Sequence, residues 1–397
     1  MDPRTKAKEV LYQFWPDHKY AGKDDGNWES LNQVGNSSLR FEKIIDLHSM
    51  PIGKYRLQIR VKNERAEWWD TSKTIQIEDP HGTSRLEWQE DLLAPIQANL
   101  TSISSSNLVI ATTTAGSVTA IYQNKGKEKW SRKLKEPIYS QPALNNEETD
   151  IYVGTSDRMV YCIRTSNGET AWKSKTPSPV LGNIYYDNGE LIIPSGHHIV
   201  LMDAQTGEIK WSTEVSGFTA GMPTADDKAI YFGAGDGKAY ALDRINGQVI
   251  WESTILIRET PYKTLIYSPW ATKATIVPSK EGTKDLVYVS NVSNTYALNR
   301  HTGNIEWKFK GGFLYSAPLI LMENTMAVLA DEWGKVSAID PYSGKLLWQT
   351  TTKQRVFNAS PVKAEGEKVY ISGVNGLLTV LYLKFGSIID DYLFSTD

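Results

Sequence analysis

The chain has 397 residues, with 43 Lys and Arg against 46 Asp and Glu, a formal net charge of −3. That balance excludes nucleic acid as the expected partner, and no apolar run is long enough for a membrane-spanning helix, so direct membrane insertion is not expected. With 20 Tyr, 13 Trp, 29 Gly and 17 Pro, the composition is that of short strands joined by turns, and an all-β chain is expected.

The N-terminus, MDPRTKAKEV, lacks the apolar core of a secretory leader. The expectation is either a cytoplasmic protein or an exported one, in the periplasm or at the cell surface, whose leader has been removed. The first eighty residues hold pieces such as VLYQFWPDHKYAGKDDGNWESLN and IGKYRLQIRVKNERAEWWD. In the latter, Tyr55, Leu57, Ile59 and Val61 alternate with Lys54, Arg56, Gln58 and Arg60, the pattern of a half-buried antiparallel strand. Glu78-Asp79-Pro80-His81-Gly82 reads as a linker, which places a domain boundary after residue 82. The stretch PIGKYRLQIRVKN followed by the Trp pair resembles an immunoglobulin-like, fibronectin type III-like or triple-tyrosine β-sandwich. Residues 1–82 are therefore expected to form a small sandwich, and 83–397 a second domain.

Beyond residue 83 a phrase keeps returning: LMDAQTGEIKW ends at Trp211, DRINGQVIW at Trp251, NRHTGNIEW at Trp307 and DPYSGKLLW at Trp348. RTSNGETAW ends at Trp172, a fainter copy ends at Trp130, and RLEWQED carries Trp88. A fixed repeat of about 40 residues signals a repeat architecture. Each phrase is preceded by alternating strands such as AIYFGA and KAYALD, which gives about four short strands per unit. A four-stranded sheet cannot bury both faces alone, whereas sheets stacked radially cover one another. The expected fold is a seven-bladed β-propeller of four-stranded blades, with the Thr-Gly and Asn-Gly pairs in tight hairpins and each Trp packed between blades. YFGAGDGKAYALDRINGQVIW resembles the pyrroloquinoline-quinone-like propeller repeat. The family includes quinone-dependent dehydrogenases, a lipoprotein of outer-membrane barrel assembly and sensor domains, so the resemblance implies a scaffold and leaves the activity open. Either RLEWQED or IIDDYLF near the C-terminus is able to fill the remaining outer strand.

Chemistry-bearing motifs are sparse. Family members that bind the quinone use calcium, and many use a disulfide between neighbouring Cys residues. Cys162, in the strand VYCIR, is the lone cysteine and reads as a core thiol. No cofactor and no metal site is expected. His197 and His198, as neighbours on a strand, point to opposite faces and make a poor metal pair. GAGDGK lies in a hairpin with no helix after it, so it is a turn and not a phosphate loop.

Binding is expected on the face opposite the Trp hairpins. There the links into each innermost strand carry one aromatic apiece: Tyr139, Phe218, Tyr267, Tyr315 and Phe357. The plainer alternative is that these line the inner core near the channel. The long interval from Trp251 to Trp307 adds an insertion with Tyr262, Lys263, Tyr267 and Trp270, and inserted loops on a rigid scaffold concentrate function. The candidate binding residues are Tyr262, Tyr267, Trp270, Phe313, Tyr315, Trp333 and Phe357, serving a non-enzymatic recognition or scaffold module whose partner is a protein or a glycan. The alternative is an enzyme, either a quinoprotein-like oxidoreductase or a propeller hydrolase working from Asp157, Asp236 and Glu332 at the channel mouth.

Overall fold

The computed structural model describes residues 7–16, 28–33, 41–42, 53–77, 88, 90–256, 258, 260–311, 316–321, 323, 325–331, 333–354, 360–364, 367–373 and 377–393. The chain packs as two units, Met1–Leu86 and Glu87–Asp397.

In the first unit, Ala7–Pro16 lies between Glu29–Ser30 and Gly53–Asn63, and Trp68–Ile77 pairs on the far side of Gly53–Asn63. A separate two-stranded pair joins Asn32–Gln33 to Phe41–Glu42. Val10, Tyr12 and Tyr55 are buried. The Tyr12 hydroxyl donates to Glu29 Oε2 at 2.6 Å, and that carboxylate, helped by burial, pushes the phenol up to about 12. The strand expected from the 54–61 alternation is present, but residues 56–62 are all half-buried. The reason lies in its cations, whose long stems cover neighbouring rings. The Arg60 guanidinium sits 4.3 Å from the centre of the Trp28 ring, and the Lys62 amine 4.9 Å from that of Trp68.

The second unit is a succession of antiparallel sheets spanning 101–133, 143–175, 185–219, 224–254, 275–310, 319–351 and 362–393. It is all-β and propeller-like. All but one of these sheets have four strands, in chain order. The exception is the 185–219 sheet, where Glu190–Asp203 runs unbroken through two expected strands. Its first half pairs with Tyr185–Asp187 and its second half with Ile209–Thr219. Gly196, at φ 61°, turns the backbone so tightly that strand geometry continues across the expected hairpin. The last sheet takes Ile388–Leu393 as its outer strand, so the C-terminal segment fills that slot.

Apolar residues from successive sheets form the core. Ile110 and Val118 cluster with Ile151 and Val153, Val160 and Cys162 with Leu191 and Val200, and Ile199 and Leu201 with Ile230 and Leu242. The series continues through Tyr231 with Val287, Leu286 with Leu329, and Val328 with Ile371.

One contact recurs at each outer edge. The indole N–H of Trp130 donates to Thr165 O at 2.9 Å, that of Trp211 to Arg244 O at 3.0 Å, that of Trp251 to Arg300 O at 2.8 Å and that of Trp348 to Leu383 O at 2.8 Å. Trp172 and Trp307 do the same to Ala204 and Tyr342, and Trp88 donates to Gln123 O in the first sheet. The ring lies against the glycine of the turn that supplies the carbonyl: a Cβ on Gly303 would stand 2.7 Å from the Trp251 ring. The turn itself is held by its Asp or Asn. Asp243 Oδ1 accepts from the N–H groups of Ile245 at 2.9 Å and Asn246 at 3.0 Å, and Gly247 follows at φ 72°.

In two turns the residue after that Asp or Asn is an arginine, and it reaches the preceding sheet. Arg244 meets Asp187 at 2.5 Å and Glu190 at 2.9 Å, while Arg300 meets Asp226 at 2.9 Å and its own sheet's Asp285 at 3.2 Å. Hydrogen bonds from Ser279 and His301, together with Arg300, hold the Asp285 carboxyl down at about 2.

Trp251→Ala should lower stability by about 3–5 kcal/mol in urea denaturation, because a large aromatic that is 8 % exposed leaves a void between sheets. Trp251→Phe should lose about 1 kcal/mol for the indole bond plus a smaller packing loss. A wild-type midpoint in both would contradict the wedge. A second expectation concerns acid. Because the Asp285 carboxyl titrates lower when folded, its stabilisation is complete above the ordinary carboxylate range near 4 and is lost as pH falls toward 2. Melting curves of Asp285→Asn should therefore show a smaller drop between those pH values than wild type.

Candidate functional site

The insertion after Trp251 folds into a short helix, Pro261–Tyr267. Thr260 is its N-cap and accepts from the Lys263 N–H at 3.2 Å, with proline in the first turn, where a missing N–H does no harm. Ser268 ends it by donating its hydroxyl to Leu265 O at 2.8 Å, and Pro269 forbids continuation. Thr264 is buried, and its hydroxyl oxygen accepts from the Arg258 N–H at 3.0 Å. Leu265 lies over the hairpin of the 224–254 sheet, so close that a Cβ on Gly235 would stand 2.7 Å from its Cδ1. A side chain here would push the tip of Leu265 aside.

With one side anchored, the helix presents the other. Tyr262 is 72 % exposed, and Leu265, Ile266 and Tyr267 are also exposed. The Arg258 guanidinium lies 5.4 Å from the centre of the Tyr267 ring. Next to the helix, the Trp270 ring is 6.0 Å from that of Phe218, which is 6.2 Å from the His197 ring. Thus the hairpin and last strand of the 185–219 sheet meet the insertion that follows the 224–254 sheet in one aromatic row. Trp333, 73 % exposed, stands on the hairpin of the 319–351 sheet. Asp331 Oδ1 fixes that hairpin by accepting from the N–H groups of Trp333 and Lys335, both at 2.8 Å, and burial raises the Asp331 carboxyl.

Of the residues expected from sequence, Tyr262, Tyr267 and Trp270 come together, and Trp333 lies on a separate hairpin. Phe313, Tyr315 and Phe357 fall outside the described residues, as does Glu332. Asp157 and Asp236 hold their own turns. Asp157 accepts from the Thr155 hydroxyl at 2.6 Å, and Asp236 accepts from the Lys238 N–H at 3.1 Å and from the Tyr240 hydroxyl. Among the described residues no group of three His, Cys, Asp or Glu is placed to hold a metal. Cys162 is buried, and burial pushes its thiol up to about 12, which leaves it unreactive near neutrality. Leu265, Ile266 and His197 were missed as members of the row. A Thr-Pro start and a Ser-Pro stop were readable, but seven residues are too few to show helical periodicity.

The profile of the family described as outer membrane protein assembly factor BamB matches residues 73–158, 147–308 and 270–388. The chain belongs to that family. It is 23% identical over 240 residues to the BamB of Shewanella oneidensis, covering 55% of each protein. Against the BamB of Salmonella typhimurium it is 27% identical over 287 residues, which covers 68% of this chain and 71% of the relative. The crystal structure of BamB from Moraxella catarrhalis superposes with a TM-score of 0.63 at 16% identity, over 75% of this chain and 88% of that one. Quinohemoprotein alcohol dehydrogenase from Comamonas testosteroni superposes with a TM-score of 0.61 at 13% identity, over 76% and 68%. At such identities these structures speak for the fold alone.

Gly235→Val should lift the helix from its hairpin. Cleavage by chymotrypsin at Tyr262 and Tyr267 should quicken while the main melting transition stays within a few degrees of wild type. Unchanged cleavage would mean the helix does not depend on that contact.

Proposed function

We propose that this chain is a non-enzymatic, protein-binding scaffold that takes part in outer membrane protein assembly outside the cytoplasm, gripping its partner through the aromatic row around Tyr262. In this reading the second unit is a seven-bladed propeller, and residues 1–82 are a small β-sandwich before a propeller at 83–397. Seven successive sheets and seven wedging indoles support the blade count, since Trp88 supplies the contact onto the first sheet that a closed ring requires. The observation that carries the functional reading is the helix surface. Isolated exposed apolar residues such as Ile245 are ordinary, whereas Tyr262, Ile266 and Tyr267 are exposed close together on a helix that is anchored on its other side by Thr264 and Leu265. Family membership supports a protein as partner, and nothing in the comparisons favours a glycan. The enzymatic alternative has weaker support, because Asp157 and Asp236 are spent on turns.

Photo-crosslinkers placed at Tyr262 and Trp333 in cells should capture a protein of the outer-membrane assembly apparatus, and those at Gln205 and Tyr342 on the opposite rim should not. With that partner purified, Tyr262→Ala and Trp333→Ala should each weaken binding about thirty-fold, as an aromatic anchor worth about 2 kcal/mol does, without moving the melting temperature. Capture from the opposite rim alone would overturn the chosen face.

A further inference from the structure

The four-stranded sheet of the first unit ends on one side in Trp68–Ile77, with no further strand beyond it among the described residues. This strand has ten residues and holds neither Gly nor Pro. It pairs with Gly53–Asn63 along its whole length without a register shift. Natural sheets shorten, bulge or charge their free edges, because a long straight edge is a template for another strand. The second unit keeps that rule: the last strand of each of its sheets meets its neighbour across a register shift. Trp68–Ile77 does not, and between Trp68 and Thr74 all but the half-buried Trp69 are exposed.

The hairpin decides which main-chain groups face out. The Asn63 N–H donates to Glu67 O at 3.1 Å, so residue 67 faces the neighbouring strand, and inward and outward residues alternate from there. Trp69, Thr71, Lys73 and Ile75 therefore bond to Gly53–Asn63. Trp68, Ser72 and Thr74 turn their N–H and C=O groups to the open edge.

We propose that this edge joins the same edge of a second copy of the chain, the two strands running antiparallel about Thr71. The side chains select both the occupant and the register. Centring the pair on Asp70 or on Lys73 would set like charges directly opposite each other, which is destabilising. Centring it on Ser72 would place Lys73 opposite Thr71. Only about Thr71 does Lys73 of each copy stand opposite Trp69 of the other, with the two Thr71 side chains facing at the centre, a favourable cross-strand pair. The sheet already uses that lysine–tryptophan pairing: Lys62 stands directly opposite Trp68, and its amine lies 4.9 Å from the ring centre. Asp70, held by Arg60 at 2.8 Å, falls opposite the neutral Ser72.

Sedimentation of the full chain over a range of concentrations tests this. So short a contact is a small interface, and a monomer–dimer equilibrium with a Kd of about 10–100 µM is expected. Thr71→Lys, at an exposed position, should weaken it at least about tenfold by setting lysine against lysine, with the melting temperature unchanged. A monomer up to about 500 µM, or a Thr71→Lys dimer as tight as wild type, would each overturn the proposal. Oxidative crosslinking checks the register, and the buried Cys162 should leave wild type uncrosslinked. Facing Thr71→Cys residues would have Cα atoms about 4.5 Å apart, within reach of a disulfide. Ser72→Cys residues would stand diagonally at about 7–8 Å, beyond that reach. Thr71→Cys should therefore give a covalent dimer much faster than Ser72→Cys, and an equal or slower rate would also overturn the pairing.

Discussion

Everything in the second unit hangs on an indole that is given both a flat apolar neighbour and an acceptor for its N–H. A Trp wedged between two sheets contributes a large buried area, but its donor must be satisfied or the gain is largely lost. Here the next turn meets both demands, with a bare glycine under the ring and a backbone carbonyl at 2.6–3.1 Å from Nε1. The turn must therefore combine positive φ, no side chain at the contact and an outward carbonyl. That combination accounts for the recurring Asp or Asn, which fixes the turn by accepting from two backbone N–H groups, and for the glycine that follows. The repeated phrase is the joint chemistry of one sheet's edge and the next sheet's turn.

This explains what was legible in the sequence. The Gly and Trp of one phrase lie four residues apart, in a turn and in the strand that leaves it, yet the contact that fixes them is between Trp211 and Gly247, or Trp251 and Gly303, one repeat apart. Spacing reveals the period because every joint repeats it. Arg244 and Arg300 were not singled out, although they occupy the same place in their phrases. Their value lies in Asp187, Glu190 and Asp226 on the preceding sheet, and charge pairing across repeats becomes visible only when the sheets are side by side. The unbroken Glu190–Asp203 strand was hidden for another reason. A turn tight enough to keep strand geometry looks the same in sequence as any Gly-bearing hairpin. Of the candidate site, the aromatics of the insertion were readable as a compositional surplus, and the helix that gathers them was not.

The wedge also bears on where recognition is able to develop. On the rim of the Trp hairpins, the repeated residues are committed: the aspartates to their turns, the glycines to the rings, the carbonyls to the indoles and the arginines to the neighbouring sheet. A change made there for a partner's sake disturbs a joint. The repeated contacts of the opposite face are made by the main chain, as where the hairpin N–H groups of Thr114, Ser156 and Gly235 donate to the carbonyls of Pro95, Pro137 and Phe218, so they place little demand on side chains. Its hairpins share a backbone pattern but differ in side chains, with Asp157, Asp236, Asn291 or Asp331 bonding in their own ways, and one link has accepted a helix with little change to the sheets beneath. An exposed aromatic on that side, such as Tyr262 or Trp333, is free of the joints. The repeat thus divides the unit into a rim that keeps the sheets together and a face whose side chains are available to something else.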